Sequence, residues 1–352
     1  MAKIISGIQQ LGIGVPDMHA AWKWYRGAFG MDIRMFEESA DAPDMIKYTG
    51  GKVQSRTAAL AMNMKGGGGF EIWQYTSREP QPPKESIVLG DFGFFAGKMK
   101  TPDVKAAYTF HKENDFQVLG ELGQTPDGSD TFFVIDPYNN IFQIVQSNDW
   151  FSDTRSVTGG VEGSIIGVSD IDKARTLYSD ILGFDKVIYD SEGVFEDFKA
   201  LPGGDKKVRR MLLRRTIPTA GSFSEFLGSG SLELVQLLEG QPKKIFADRY
   251  WGDQGFIHLC FDIKDMKALK EECESNGFPF TVDSGDVFDM GEASGRFSYI
   301  EDPDGTLVEF VETNKIPIVK KIGWYLTLNK KNPEKPLPRW ILRMLSFNRV
   351  KD

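Results

Sequence analysis

GFIHLCFDIKD, Gly255 to Asp265, decides the reading of the chain, because its ten-residue stride from glycine to aspartate occurs three more times. The other copies are GIQQLGIGVPD (Gly7 to Asp17), GFFAGKMKTPD (Gly93 to Asp103) and GVEGSIIGVSD (Gly160 to Asp170). Each reads as a strand running into a helix whose first free amides are satisfied by the aspartate carboxylate. Helices are therefore expected over Met18–Phe29, Val104–Glu113, Ile171–Leu182 and Met266–Asn276, with Gly30 and Gly183 placed as C-caps. Within the quoted stretch, Ile257, Leu259, Phe261 and Ile263 alternate with Phe256, His258, Cys260 and Asp262. The first set suits packing under a helix and the second a more polar face. In the first copy, Gln9, Leu11, Ile13 and Val15 are expected on the packing side, and Ile8, Gln10, Gly12 and Gly14 on the other.

The likeness extends past the helices. Phe29-Gly30-Met31 matches Leu182-Gly183-Phe184, and the strand Gly69–Gln74 matches Ser231–Gln236. DPYNNIFQIVQ (Asp136–Gln146) matches DPDGTLVEFVE (Asp302–Glu312), a tight turn feeding a strand. Four βαβββ modules follow, at about 7–75, 93–147, 160–238 and 255–312, with linkers at Ser77–Pro83 and Ser147–Gly159. One such unit leaves a sheet face uncovered, so the units must pair into cupped mixed sheets. The expected class is α+β. It comprises two cupped domains, 1–150 and 160–313, followed by a basic helical extension, 314–352.

Composition narrows the function. Of 352 residues, 41% are hydrophobic and 26% charged, the balance of a soluble globular protein. No apolar run approaches bilayer length, and the first residues lack a secretory core. Cys260 and Cys273 cannot staple a chain of this size, which argues for a reducing cytoplasm. The extension carries a net +8 and the remaining body −16, so nucleic acid is not the expected partner. A small-molecule substrate is, with a monomer or homodimer as the assembly. Only His19, His111 and His258 exist, which excludes zinc fingers and leaves carboxylates and amides to dominate any metal site.

The fourfold pattern over residues 7–312 resembles the vicinal oxygen chelate superfamily. That superfamily includes glyoxalase I, methylmalonyl-CoA epimerase, extradiol dioxygenases and bleomycin-resistance proteins. The resemblance implies up to two metal ligands per module, one on the opening strand and one on the late strand. Those positions are Gln10 and Glu71, Ala96 and Gln143, Gly163 and Glu233, and His258 and Glu309. If neighbouring modules pair, neither set is complete, although Glu233, His258 and Glu309 share one cup. If the outer modules pair, as in single-chain glyoxalase I proteins, Gln10, Glu71, His258 and Glu309 form one site. The inner site, Ala96, Gln143, Gly163 and Glu233, is then degenerate. The crossed pairing is preferred because it gathers every good ligand in one cup.

That set implies a divalent cation (Zn, Ni, Co, Mn or Fe) and isomerase, epimerase or lyase chemistry beside a polarised carbonyl. Glu309 is the implied base and Glu71 its partner across the site. The alternatives are a metal-free binding or resistance protein and a ring-cleaving extradiol dioxygenase. The latter's facial triad needs two histidines where only His258 is placed. Glutathione is not the implied cosubstrate, because Gly14 and Gln254 stand where its anchoring arginines would be.

The remaining features have plainer readings. Glu233 reads as a polar cup residue, and His19 and His111 as solvated. The run from Lys206 to Arg215 reads as a charged sheet edge rather than a phosphate site, and Gly66–Gly69 as a flexible hairpin. In the extension, Trp340, Ile341, Met344 and Leu345 recur at helical spacing beside Arg339 and Arg343. Docking on the acidic body is the first expectation for that helix, and contact with a membrane surface the second.

Overall fold

The computed structural model describes residues 3–285, 288–289, 294–319, 323–328 and 332–351. Lys320, Lys321, Lys330 and Lys331 of the basic extension lie outside them. The first module is β1 (Ile4–Gly14), α1 (Met18–Phe29), β2 (Ile33–Asp41), β3 (Ser55–Met62) and β4 (Gly69–Tyr75). The second is β5 (Gly93–Thr101), α2 (Val104–Glu113), β6 (Val118–Gln124), β7 (Asp130–Ile135) and β8 (Ile141–Gln146). The third is β9 (Val161–Gly167), α3 (Ile171–Tyr178), β10 (Lys186–Gly193), β11 (Val208–Arg214), a one-turn α4 (Ser224–Leu227) and β12 (Ser231–Leu237). The fourth holds β13 (Gly255–Lys264), α5 (Met266–Ser275), β14 (Val282–Asp283), β15 (Phe288–Asp289), β16 (Ser294–Glu301) and β17 (Leu307–Val319). β18 (Trp324–Thr327) and α6 (Arg339–Arg343) complete the chain.

All four aspartates at the ends of the glycine strides cap their helices. Asp17 accepts from the Ala20 amide, Asp103 from Ala106, Asp170 from Asp172 and Lys173, and Asp265 from Ala268. Gly30 and Gly183 take positive φ, as expected of C-caps. The third helix stops at Tyr178 rather than Leu182; beyond it the Ile181 and Leu182 amides both donate to the Leu177 carbonyl, and the Ser179 hydroxyl donates to the Phe184 carbonyl.

Two curled mixed sheets result, and their order is crossed. One runs β14-β16-β17-β13-β1-β4-β3-β2, with β15 and β18 paired off its path; the other runs β10-β11-β12-β9-β5-β8-β7-β6. The outer modules thus join through antiparallel β1 and β13, and the inner modules through antiparallel β5 and β9. Each of the halves 1–150 and 160–313 contributes one module to each sheet.

One apolar core passes between the sheets and under the helices, and includes Leu11, Phe29, Phe70, Phe142, Phe256 and Phe261; two further buried clusters lie in the cups. Two buried tyrosines cross it at equivalent places. Tyr25 on α1 donates to Asp136 at 2.6 Å, and Tyr178 on α3 donates to Asp302 at 3.0 Å. Asp136 and Asp302 are the aspartates of the two matched turns, each also accepting backbone amides of its own turn. Sequence neighbours therefore meet through helices, while hydrogen-bonded sheets join the crossed modules.

Several expectations need correction. β11 lies between β10 and β12 and is no sheet edge; Arg210 on it is fully buried. His111 is buried among Phe29, Phe110, Phe116 and Phe132, with Nδ1 2.7 Å from the Ala107 carbonyl, and burial lowers its pKa. His19 is exposed, as expected. Gly66–Gly68 form no loose hairpin: Gly160 donates to Gly66, Gly68 and Val161 exchange backbone bonds, and a side chain on Gly68 would meet the Ile8 carbonyl at 2.7 Å.

The extension is only partly helical. β17 runs on into it and pairs with β18, and α6 spans five residues before a 3₁₀ turn, Met344–Asn348. Leu342 and Leu345 are its buried anchors, whereas Trp340 is 60% exposed. Arg349 pairs with Asp32 and Val350 donates to the Asp32 carbonyl, which ties the chain end to β2.

Candidate metal centre

The crossing of β1 and β13 brings the opening-strand positions together. Gly12 stands opposite His258 and Gln10 opposite Cys260, while parallel β4 and β17 set Glu71 beside Gly12 and Glu309 beside Cys260. Gly12 has to be glycine: a Cβ there would meet the imidazole at 2.5 Å. All four residues named from the outer modules converge. Gln10 Nε2 lies 3.2 Å from Glu71 and 3.3 Å from Glu309, and His258 Nε2 lies 3.2 and 3.0 Å from the same carboxylates. The ligating atoms of Glu71, His258 and Glu309 fall within 4.8 Å of one another.

Electrostatics follow from that geometry. Burial disfavours a charged His258, but Glu309 and then Glu71 outweigh it and hold the ring up at about 10. Burial would raise Glu309, yet His258 beside it keeps it below the usual carboxylate range. Burial, with Glu309 and Glu71 nearby, pushes the Tyr299 phenol well up, so it stays neutral; its oxygen is 3.4 Å from His258 Nδ1. Trp251 stacks on the imidazole at 6.3 Å. Tyr299 and Trp251 had no signature in the sequence, because their contacts come from a neighbouring strand and a loop outside the repeat pattern.

The donor set fits a divalent cation. Two carboxylates, an imidazole nitrogen and an amide oxygen are acceptable ligands together. Gln10 Oε1 is buried without a hydrogen-bond partner, and turning the amide over would present it to the cluster. A cavity of about 420 Å³ opens above the four side chains, with Gln10, Glu71 and Glu309 on its floor.

Two strand irregularities alter the expected faces. A bulge between Ile8 and Gln10 shifts the alternation, so Gln9 lines the cavity beside Gln10 and Ile8 joins the core. A second, opposite Gly12 and Ile13, sends Phe256 into the core and Ile257 to the cup side.

The inner cup contrasts in every respect. Glu233 accepts from Lys98 at 2.8 Å, from Arg210 at 2.7 Å and from Tyr189 at 2.7 Å, all buried. Burial works against its charge, but Arg210 and Lys98 outweigh it and bring its pKa down to about 2. Two cations thus stand where the outer cup offers open donors. Gly163 leaves no room for a ligand, since a Cβ would meet the Ser231 carbonyl at 1.7 Å. Phe95, Phe133 and Phe198 fill the remaining space. Gly14 and Gln254 have structural roles: the first abuts the Asp253 carbonyl, and the second donates to Pro80.

A model of the glyoxalase/bleomycin resistance protein/dioxygenase superfamily matches residues 7–144 and 161–310. The chain belongs to this superfamily. Among solved members of similar fold, glyoxalase I from Zea mays is 16% identical with a TM-score of 0.53, covering 88% of this chain and 92% of its own. A putative dioxygenase from Bacillus subtilis is 14% identical with a TM-score of 0.55, covering 88% and 86%. No curated protein sequence matches significantly. Superfamily members include metal-dependent glyoxalase I and dioxygenases, and divalent metals are common among them. No helix among the described residues is long and apolar enough to cross a membrane.

Proposed function

We propose that the protein is a metal-dependent enzyme of the vicinal oxygen chelate type. It would remove a proton from the carbon beside a carbonyl of a small oxygenated substrate, in isomerase, epimerase or lyase chemistry. The observation that carries this reading is the convergence of Gln10, Glu71, His258 and Glu309 beneath one cavity, the first two and Glu309 on its floor. A divalent cation held by those four residues would polarise the substrate carbonyl. Zn, Ni, Co, Mn and Fe all suit the donor types.

The chain supplies the remaining parts. Glu309 is the base, on the cavity floor and within reach of a bound carbon acid. Glu71 faces it across the site and accepts or returns a proton from the other side. Tyr299, on the Nδ1 side of His258, orients the imidazole so that Nε2 faces the cluster. Trp251 shields the same ring from water.

Metal content after purification and reconstitution tests the reading. Gln10→Ala and His258→Ala should lose bound metal, and Glu233→Ala should keep it. A wild-type protein that cannot be loaded with any of these ions would overturn the enzyme reading. The inner cup supports a second reading, a metal-free binding protein, because Lys98 and Arg210 already neutralise a cup glutamate without an ion. Ligand binding that is unchanged by chelation would favour it.

A further inference from the structure

The cavity above the cluster has a chemical character of its own. Its walls are apolar and largely aromatic: Phe36, Trp73, Phe223, Phe226, Trp251 and Phe297 face it, and Leu345 of the extension adds to the wall. The polar lining is acidic. Glu38, Asp41 and Asp44 stand beside it, in addition to Glu71 and Glu309 on the floor. Arg56 is the one lining cation among the described residues; its Nη2 pairs with Glu38 at 2.6 Å, and its Nη1 is buried without a hydrogen-bond partner. A carboxylate or phosphate on the substrate's body, away from the floor, would face Glu38, Asp41 and Asp44 against Arg56 alone, and would have to shed water into an apolar wall. An apolar body loses water there at a gain proportional to its buried area. The volume suits a compact molecule of one or two rings.

We infer that the substrate carries an uncharged, largely apolar body, aryl or bulky alkyl, with two adjacent oxygens at one end. The oxygens sit at the floor above the Gln10–Glu71–His258–Glu309 cluster, and the apolar body fills the aromatic chamber. This assignment rests on the proposed function for the oxygen end, and on the cavity alone for the rest.

Isothermal titration calorimetry of the full-length, metal-loaded protein tests it with three probes. Benzoin is a neutral diaryl hydroxyketone, acetoin its small dimethyl analogue, and 4-carboxybenzoin its counterpart with a carboxylate on one ring. Benzoin should bind more tightly than acetoin by roughly tenfold for each phenyl that replaces a methyl, and 4-carboxybenzoin should bind more weakly than benzoin by tenfold or more. Equal affinity for benzoin and acetoin, or binding of 4-carboxybenzoin as tight as that of benzoin, overturns the assignment. Met35→Trp, at a half-buried wall position, should weaken benzoin tenfold or more and leave acetoin unchanged; equal loss of both would also count against it. Exchange of the carbinol hydrogen of bound probe with deuterated water is read separately. Benzoin bound without exchange defeats the proposed function and leaves the substrate class standing. Acetoin exchanged while benzoin is excluded does the reverse.

Discussion

At Glu233 a family ligand position has become a structural ion pair. Removing the carboxylate charge would strand Lys98 in the interior and leave Arg210 with Asp197 alone, so Glu233→Gln should cost about 3 kcal/mol or more in urea unfolding. The pH dependence has a definite sign. Because folding lowers this carboxyl from an ordinary 4.5 to about 2, its contribution is complete above pH 4.5 and is lost as pH falls toward 2. Its size is on the order of 3 kcal/mol, and the Glu233→Gln variant should show a flatter acid limb. At Gly12 the constraint is spatial: Gly12→Ala should dislodge His258 and abolish metal loading while circular dichroism still reports a folded protein.

Among the elements, the parts written locally were legible and the parts written by packing were not. Each glycine-to-aspartate stride announced a strand and a cap, since strand alternation and capping depend on residues within one turn of each other. The ligand positions followed from the family resemblance laid onto the repeat register, which places Gln10, Glu71, His258 and Glu309 without reference to distance. The bulges at Ile8–Gln10 and at Gly12–Ile13 left no local mark, because they arise where two strands far apart in sequence are forced into register. His111 looked solvated for the same reason: Phe29 and Phe132, which close over it, come from other elements. The short helix of the extension is held by tertiary burial rather than by its own length. Leu342→Ala should therefore cost about 2–4 kcal/mol, measurable by denaturation, and loosen the chain end from Asp32.

For the molecule as a whole, two kinds of bond cross at right angles in the connectivity. Tyr25 to Asp136 and Tyr178 to Asp302 link successive modules through the shared core, while the sheets link the first module to the fourth and the second to the third. Tyr25→Phe and Tyr178→Phe should each cost about 1–2 kcal/mol, and a single cooperative unfolding transition should persist in both, because one core serves both sheets. The crossed order also sets a timetable. β5 finds β9 soon after both exist, but Ile4 pairs with Lys264 across most of the chain, and ordering so long a loop comes late. On a ribosome the inner sheet can close while β1 waits with an open edge for β13. The four side chains of the outer cup therefore meet among the last events of folding, and a nascent chain stopped before β13 would hold a finished inner cup and only half of the cluster.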